Sequence, residues 1–405
     1  MTRRRIVLAD ALAALIDHRG KTPKKLGGDW TTDGHRVVSA LNIKGSRVDD
    51  NDHHYISNEM YERWMKVPLA AGDVLLTSEA PTGEVAYLSE QQDWAIGQRL
   101  FGLRGKPDLL HGRYLFYALR GGDARHQMLS RATGTTVAGI RQSELVKIEL
   151  DLPPVEEQRA IAATLGALDD KIESNRRAAT LELALAATVL ASGTEAIRVG
   201  DIAGVDKGLS YKGSGLDDGS ATDAIPMVNL ANFTTSGALK PDGLKYYTGD
   251  FKPKHRLAAW DLVVANTDLT QSREILGRGF LVPTTLQGAL HTHHTSVLRF
   301  RERSELAPFL WAELQSPEFR DRAKGFATGT TVTALPGEAL LDFDFSVPSD
   351  PEPALAAARG LIEHSWQLAS ESAALTTTRD ALSPELLSGR IRVPEAAAVV
   401  QDGTG

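Results

Sequence analysis

The sequence predicts an α/β fold made twice: two globular domains in tandem repeat, separated by two long helices that pair as an antiparallel coiled coil. Three observations carry this. The hexapeptide Ala132-Thr-Gly-Thr-Thr-Val137 recurs unchanged as Ala327-Thr-Gly-Thr-Thr-Val332, an offset of 195 in a chain of 405 residues. Its neighbours recur in kind. A helical apolar stripe (Leu115, Phe116, Leu119) stands before the first copy, and Leu310, Trp311 and Leu314 stand before the second. After each copy comes proline, then a stretch with apolar residues at coiled-coil spacing. A repeat of this kind dictates architecture ahead of local preference.

The first domain is expected over residues 1–152. Short alternating runs such as His35 to Ile43 and Asp73 to Thr77 read as strands, broken by Gly, Asn, Asp and Pro turns. Pro153-Pro154 closes the domain, because proline tolerates a helix start but not a sheet interior. A spacer helix over 153–192 follows, helical from about Val155 to Ala191, with Glu156 and Glu157 at the positive end of its dipole. Ile161, Leu165, Leu168 and Ile172 step by 4, 3 and 4, one face of a coiled coil, and Leu181, Leu185 and Val189 resume the stripe on a shifted face. At about 1.5 Å per residue such a helix is roughly 55 Å long.

The second domain is expected over 193–348. Gly72-Asp-Val-Leu-Leu76 resembles Trp260-Asp-Leu-Val-Val264, and Leu8-Ala-Asp-Ala-Leu12 resembles Val199-Gly-Asp-Ile-Ala203. A second spacer segment over 349–392 carries a helix from about Pro353 to Leu382. There Leu361, Leu368, Leu375 and Leu382 repeat every seven residues, and Leu355, Ile362 and Ala369 do likewise. Neither narrow stripe can be hidden by its own helix, so Ile161, Leu165, Leu168 and Ile172 are expected to pack on Leu355, Leu361, Ile362, Leu368 and Leu375. Residues 393–405 read as a disordered tail.

Composition narrows the function. There is no cysteine, which removes disulfides and thiolate zinc sites and suits a reducing cytoplasm. The apolar run Ala11 to Ile16, flanked by Asp10 and Asp17, is too short for a secretory or membrane segment. The net charge is −7, unlike a free-standing DNA binder. Charge is uneven, however: Ala95 to Lys147 holds nine Lys/Arg against three Asp/Glu, and Met1 to Lys25 holds seven against two. A local basic face acts within a Debye length whatever the total.

Enzyme motifs fail in turn. Gly20-Lys21-Thr22 ends like a phosphate-binding loop, but Leu15 stands where its first glycine belongs. The Asn/Asp-Pro-Pro-aromatic motif of adenine methylation is missing; Leu152-Pro153-Pro154-Val155 does not supply it. Asp169-Asp170-Lys171 mimics a nuclease triad but sits inside a heptad. His291, His293 and His294 have metal-binding types, with His291 and His293 on one strand face by alternation. They lack an acidic partner nearby, so they read as a solvated strand end and no metal is expected.

The string Leu152-Pro-Pro-Val-Glu-Glu-Gln-Arg-Ala-Ile-Ala-Ala-Thr-Leu-Gly-Ala-Leu-Asp-Asp-Lys-Ile-Glu-Ser-Asn-Arg-Arg177 resembles the central conserved region of the specificity subunits of type I restriction-modification systems. Gly72-Asp-Val-Leu-Leu-Thr77 and the Thr-Gly-Thr-Thr turn agree with it. The resemblance runs from near Ile6 to Arg392. It implies two target-recognition domains, each reading one half of an interrupted double-stranded DNA site, on a non-catalytic subunit. It implies two modification subunits carrying S-adenosylmethionine and restriction subunits using ATP and Mg, with no cofactor on this chain. The alternative is a recognition adaptor of a related phage-defence methyltransferase complex without a restriction subunit. In the second half, Ser349-Asp-Pro-Glu-Pro-Ala-Leu-Ala replaces the expected proline-acid-Glu-Gln string, and no Asp-Asp-Lys-Ile equivalent follows.

Base edges and phosphates take Arg, Lys, Asn, Ser and Thr on loops. In the first domain the candidate DNA contacts are Arg19, Lys21, Lys24, Lys25, Asn42, Lys44, Arg47, Ser78, Arg131, Thr133, Thr135 and Arg141. In the second they are Tyr211, Lys212, Asn229, Asn232, Asn266, Thr267, Arg273, Thr328 and Thr330. The repeated turn is expected to serve either turn geometry or phosphate contact, and base reading to lie in the divergent loops.

Overall fold

The computed structural model describes residues 3–50, 53–134, 137–191, 193–270, 272–329 and 332–394. The expected tail lies almost wholly outside the described residues. Two compact units emerge: residues 1–170 with 375–405, and residues 171–374. Each takes its own globular domain and a portion of both long helices.

The two globular domains share one plan. A strand at the start of each pairs with a strand at its end: Arg4–Val7 with Glu149–Leu152, and Glu195–Arg198 with Asp344–Val347. That antiparallel zip closes the domain and hands the chain to a helix. Inside the first domain, a four-stranded antiparallel sheet runs in the order Leu12–Asp17, Leu100–Gly105, Val74–Thr77, Val85–Tyr87. The second repeats it as Ala203–Lys207, Thr295–Phe300, Leu262–Ala265, Gly279–Leu281. A parallel pair stands apart from each sheet: His35–Val38 with Ala95–Ile96, and Ile225–Val228 with Leu290–His291. The central strands Val74–Thr77 and Leu262–Ala265 are buried at every position, so they read as continuous apolar runs.

The long helices span Val155–Leu190 and Glu352–Ser388. Alanine, leucine and glutamate dominate both, which favours helix along their whole length. In the second unit, Asn175 Nδ2 donates to Glu371 Oε2 at 2.8 Å, and His364 Nδ1 lies 2.7 Å from Glu182 Oε1. Seven residues forward on one helix match seven back on the other, an antiparallel heptad register. In the first unit, Arg379 meets Asp169 at 2.7 Å. The helices therefore pair in both units.

Of the predicted packing residues, Ile161, Leu165, Leu168, Ile172, Ile362, Leu368 and Leu375 are buried. Leu355 and Leu361 are half-buried against the core of the second globular domain. The shifted stripe is a correction: Leu181 and Leu185 are 70% and 53% exposed, and Leu183, Ala186 and Leu190 are buried instead. The smaller Ala186 lets the helix approach that core, which draws a different face inward. The second helix also outruns its expected end at Leu382, continuing past Pro384 to Ser388. Tertiary contacts hold that extension: Leu386 is buried, and the Arg3 guanidinium donates twice to the Leu387 carbonyl, at 2.7 and 2.6 Å.

The two globular domains attach to the helices by different means. In the first unit the seam is polar. The Gln158 side chain, fully buried, accepts from the His111 amide and donates to the carbonyls of Leu109 and Pro153, each at 2.9 Å. Arg113 grips Asp170 at 2.5 and 3.1 Å and donates to the Gly166 carbonyl, while Tyr117 donates to Asp169 at 2.5 Å. Burial, then the Asp169 charge, push the Tyr117 phenol well above its ordinary range. The aspartates of the nuclease-like triad are thus structural anchors, and Lys171 pairs with Glu371 at 3.5 Å. In the second unit the seam is apolar. Leu183, Ala186, Leu190, Ala358 and Ile362 join the domain core, and Trp366 stacks obliquely on Trp260 at 4.7 Å.

The register predicts unequal costs along the first helix. Leu165→Ala should destabilise the chain by about 2–5 kcal/mol, as a fully buried leucine. Leu181→Ala should change stability by no more than about 0.5 kcal/mol. Urea unfolding of the two variants measures both, and equal losses would show that the wrong face has been assigned to the interior.

Candidate DNA interface

In each unit the loops that carry the predicted contacts converge on one end of the four-stranded sheet. In the first unit Asp17 pairs with Phe101 and Thr77 with Leu100, so the loops after Asp17 and Thr77 and the linker before Leu100 share that end. The repeated turn joins them: the Ile140 amide donates to the Ser78 carbonyl at 2.8 Å, and Thr82 Oγ1 to the Ala138 carbonyl at 2.6 Å. In the second unit Lys207 pairs with Ser296 and Ala265 with Thr295, and the Leu335 amide donates to the Asn266 carbonyl.

The cations of this end fall into two groups. Lys24, Lys25, Lys44, Arg47 and Arg141 are exposed, with Lys44 held at 2.7 Å by Asp49 and Lys25 on the Gly20 carbonyl. Arg19, Lys21 and Arg131 are half-buried and tied into the fold. Arg19 is bound by Asp17 at 2.9 and 2.8 Å and lies 4.1 Å over the Phe101 ring. Lys21 donates to the Trp64 carbonyl, and burial lowers its affinity for a proton. Arg131 faces Glu144 at 3.6 Å. In the second unit Lys212 is exposed and Arg273 donates to the Lys324 carbonyl at 3.1 Å.

Five of the predicted DNA contacts have side chains that the fold itself buries or engages. Asn42, Ser78, Asn232 and Asn266 are buried. Asn42 Oδ1 accepts from the Ser39 amide at 2.9 Å, and Asn232 Oδ1 accepts from the Asn229 amide at 2.8 Å. Both close the same capping box on a short 3-10 turn, 190 residues apart. Asn229 donates to the Gly243 carbonyl within that turn, and Asn266 donates to Ser296 Oγ at 2.9 Å. Asparagine suits both capping and base reading, and here the backbone claims it.

The repeated turn serves geometry. Thr133 bridges Gly139 and Thr328 bridges Ala334, the same six-residue span. Gly134 and Gly329 adopt φ of +135° and +99°, and a Cβ on either would stand 2.2 Å from the carbonyl oxygen of Val137 or Val332. Only glycine fits there. Thr133 and Thr328 are exposed; Thr135 and Thr330 lie outside the described residues.

Several residues at this end escaped the sequence reading. A cavity of about 230 Å³ in the first unit is lined by Lys21, Trp30, Leu41, His54, Gln98 and Arg99, among others. Trp30 and Leu41 are 45% and 65% exposed. In the second unit Tyr211 stands edge-on to Tyr247, accepts from Lys245 Nζ, and lies 6.4 Å from the His293 ring. His293 is exposed, and His294 stands 4.0 Å from it with Nδ1 3.0 Å from Thr267 Oγ1. Burial, then His293 and Lys245, lower the His294 pKa. His291 does not share their surface: its strand ends there, it is fully buried against Thr295, and burial drives its pKa down to about 3. Among the described residues no cluster of three or more histidines and carboxylates could hold a metal ion, and no helix is long and apolar enough to cross a membrane.

Residues 16–183 match the family model of the type I restriction modification DNA specificity domain. The chain is similar to the type I restriction enzyme MjaVIII specificity subunit of Methanocaldococcus jannaschii, 26% identical over 154 residues, covering 37% of this chain and 36% of that protein. It is also similar to the MjaIX specificity subunit of that organism, 30% identical over 106 residues, covering 26% and 24%. These alignments span about a quarter to a third of the relatives' length. In fold the whole chain resembles the S subunit of a type I restriction-modification system from M. genitalium, with a TM-score of 0.57 at 15% identity over 95% of this chain and 96% of that one.

The turn geometry is open to test by two glycines of the second unit. Gly329→Ala should cost roughly 1–3 kcal/mol and lower Tm, because it forces a strained backbone and a clash. Gly325→Ala, inside the helix Pro317–Phe326 with open space at its Cβ, should leave Tm unchanged or raise it. Thermal unfolding of both variants decides, and a tolerated Gly329→Ala would restore phosphate contact as the reason for the repeat.

Proposed function

We propose that this chain, whose residues 16–183 match the model of the type I restriction modification DNA specificity domain, is the specificity subunit of a type I restriction-modification complex. Each unit recognises one half of an interrupted double-stranded DNA site, and partner subunits perform the adenine methylation and the restriction. One observation carries the reading: the same cation-bearing sheet end is built twice on one scaffold with different side chains, as a protein reading two unlike half-sites requires. The exposed lysines and arginines suit phosphate contact, which fixes position without carrying sequence.

The chain itself is non-catalytic in this proposal. Asp169 and Asp170 are occupied by Tyr117, Arg379 and Arg113, which leaves the acidic pair no role in hydrolysis. S-adenosylmethionine, Mg and ATP belong to two modification subunits and to restriction subunits, and the complex works in the cytoplasm. With its net charge of −7, the chain alone should bind DNA weakly. Methylome sequencing of a host carrying the chain with its modification partner tests the proposal. A bipartite methylated motif that vanishes on deletion of the chain supports it; unchanged methylation refutes it.

Phosphate and base contacts also differ in their response to salt. Replacing Arg131 and Arg141 with Ala should weaken binding of the assembled complex evenly across sequences, and reduce the salt slope of log K by up to about 2. Fluorescence anisotropy across a salt series measures this. A switch in the methylated half-site instead would mean that these arginines read bases.

A further inference from the structure

A three-residue linker occupies the same place in both units. Gly97-Gln98-Arg99 joins the parallel strand Ala95–Ile96 to the sheet strand Leu100–Gly105, and Thr292-His293-His294 joins Leu290–His291 to Thr295–Phe300. Its backbone is pinned identically. The Gly97 amide donates to the Val38 carbonyl at 2.7 Å, and the Thr292 amide to the Val228 carbonyl at 2.9 Å. The Ser78 amide donates to the Arg99 carbonyl at 2.8 Å, and the Asn266 amide to the His294 carbonyl at 3.1 Å. The pinning hydrogen bonds match between the halves, although Arg99 takes a left-handed φ that His294 does not, and the side chains presented differ.

Those side chains face outward and are chemically suited to base edges. Gln98 and His293 are exposed, Arg99 is half-exposed with Glu79 at 3.0 Å, and His294 is partly exposed. Arg99 adopts φ of +61°, the left-handed region that a non-glycine residue enters only against strain. A backbone strain kept at an exposed arginine points to a task for its side chain. Gln98 and Arg99 line the cavity shared with Lys21 and Trp30, and His293 stands beside Tyr211, which holds the place of Lys21 in the repeat.

We propose that this linker is the base-reading element of each unit: Gln98 and Arg99 read base edges of one half-site, and His293 and His294 those of the other. The inference rests on the DNA-recognition reading above and adds to it the residues that discriminate. In the major groove a glutamine matches the N6 and N7 of adenine and an arginine the O6 and N7 of guanine, both as paired hydrogen bonds. The first half-site therefore contains adenine or guanine at adjacent positions contacted from this linker. Short, doubly pinned backbone suits the task, because a side chain that reads an edge must start from a fixed point.

The test uses the complex assembled with its methyltransferase partner, acting on a DNA library with randomised positions and read by methylation-sensitive sequencing. The variant Gln98→Ala with Arg99→Gly removes both readers, and glycine fits the left-handed backbone without strain. It should lower discrimination about 10- to 100-fold at one or two adjacent positions of one half-site, leaving the other half intact. His293→Ala with His294→Ala should relax only the other half. Circular dichroism and Tm of each variant identify any loss that comes from unfolding, in which case the conservative changes Gln98→Glu and Arg99→Lys give the same readout. Variants that keep the wild-type motif in both halves, or that weaken all sequences evenly, overturn the proposal. A wild-type complex without a bipartite preference overturns the recognition reading itself, and this inference with it.

Discussion

A helix of 36 residues with a one-sided apolar stripe cannot rest alone in water, and that constraint organises the chain. Each buried leucine of the stripe contributes about 1.5–3 kcal/mol relative to an exposed one, so a partner helix is worth many times the thermal energy. The partner is supplied by the same chain about two hundred residues later, in antiparallel sense. Duplication makes this possible, because the second copy of a domain-plus-helix unit brings a second stripe of matching period. The strand zips at the base of each domain follow from it: both ends of a domain must meet where a helix begins.

The two seams show how one architecture can be held by different physics. The first uses Gln158 and Asp169, each satisfied by several partners, and Asp170, held by Arg113. Where such a network is buried, as at Gln158, it is costly when incomplete and specifies one geometry when complete. The second seam uses Trp260, Trp366 and the aliphatic residues around them. Packing of this kind gains area without demanding exact partners. That accounts for the departure of Ser349 to Ala356 from the first-half string: once a seam is apolar, the glutamine and the aspartates have nothing left to satisfy.

The architecture was legible in the sequence because a heptad period and a verbatim repeat survive any local ambiguity. The buried stripe from Ile161 to Ile172 and the antiparallel pairing needed nothing else. The shifted stripe at Leu181 and Leu185 was not legible, since an alanine-rich helix offers several faces and only the core of the second domain selects one. The candidate interface is legible in the sequence as a set of loops, whereas the hydrogen-bond partners of its individual side chains are not. Asn42, Asn229, Asn232 and Asn266 have the side chain of a base reader, yet Asn42 and Asn232 close short 3-10 turns and Asn229 and Asn266 follow a strand directly, where a backbone amide or a neighbouring side chain needs a partner. The shared strand face expected for His291 and His293 fails because the strand stops at His291, which leaves His293 exposed on the following turn.

Register, rather than residue type, separates scaffold positions from those free to vary. Positions that match between the units in both identity and bonding, such as the capping asparagines and the turn glycines, are explained by backbone geometry alone. Positions that match in backbone bonding but differ in side chain are the ones free to vary without loss of fold. Lys21 against Tyr211, and Gln98-Arg99 against His293-His294, are such positions, and they cluster at the sheet end where the exposed cations gather. Under the proposed function, two unlike half-sites read by one duplicated scaffold would be told apart at these positions. Change elsewhere alters stability first, whereas change in these side chains alters what is touched while the backbone hydrogen bonds beneath them stay the same.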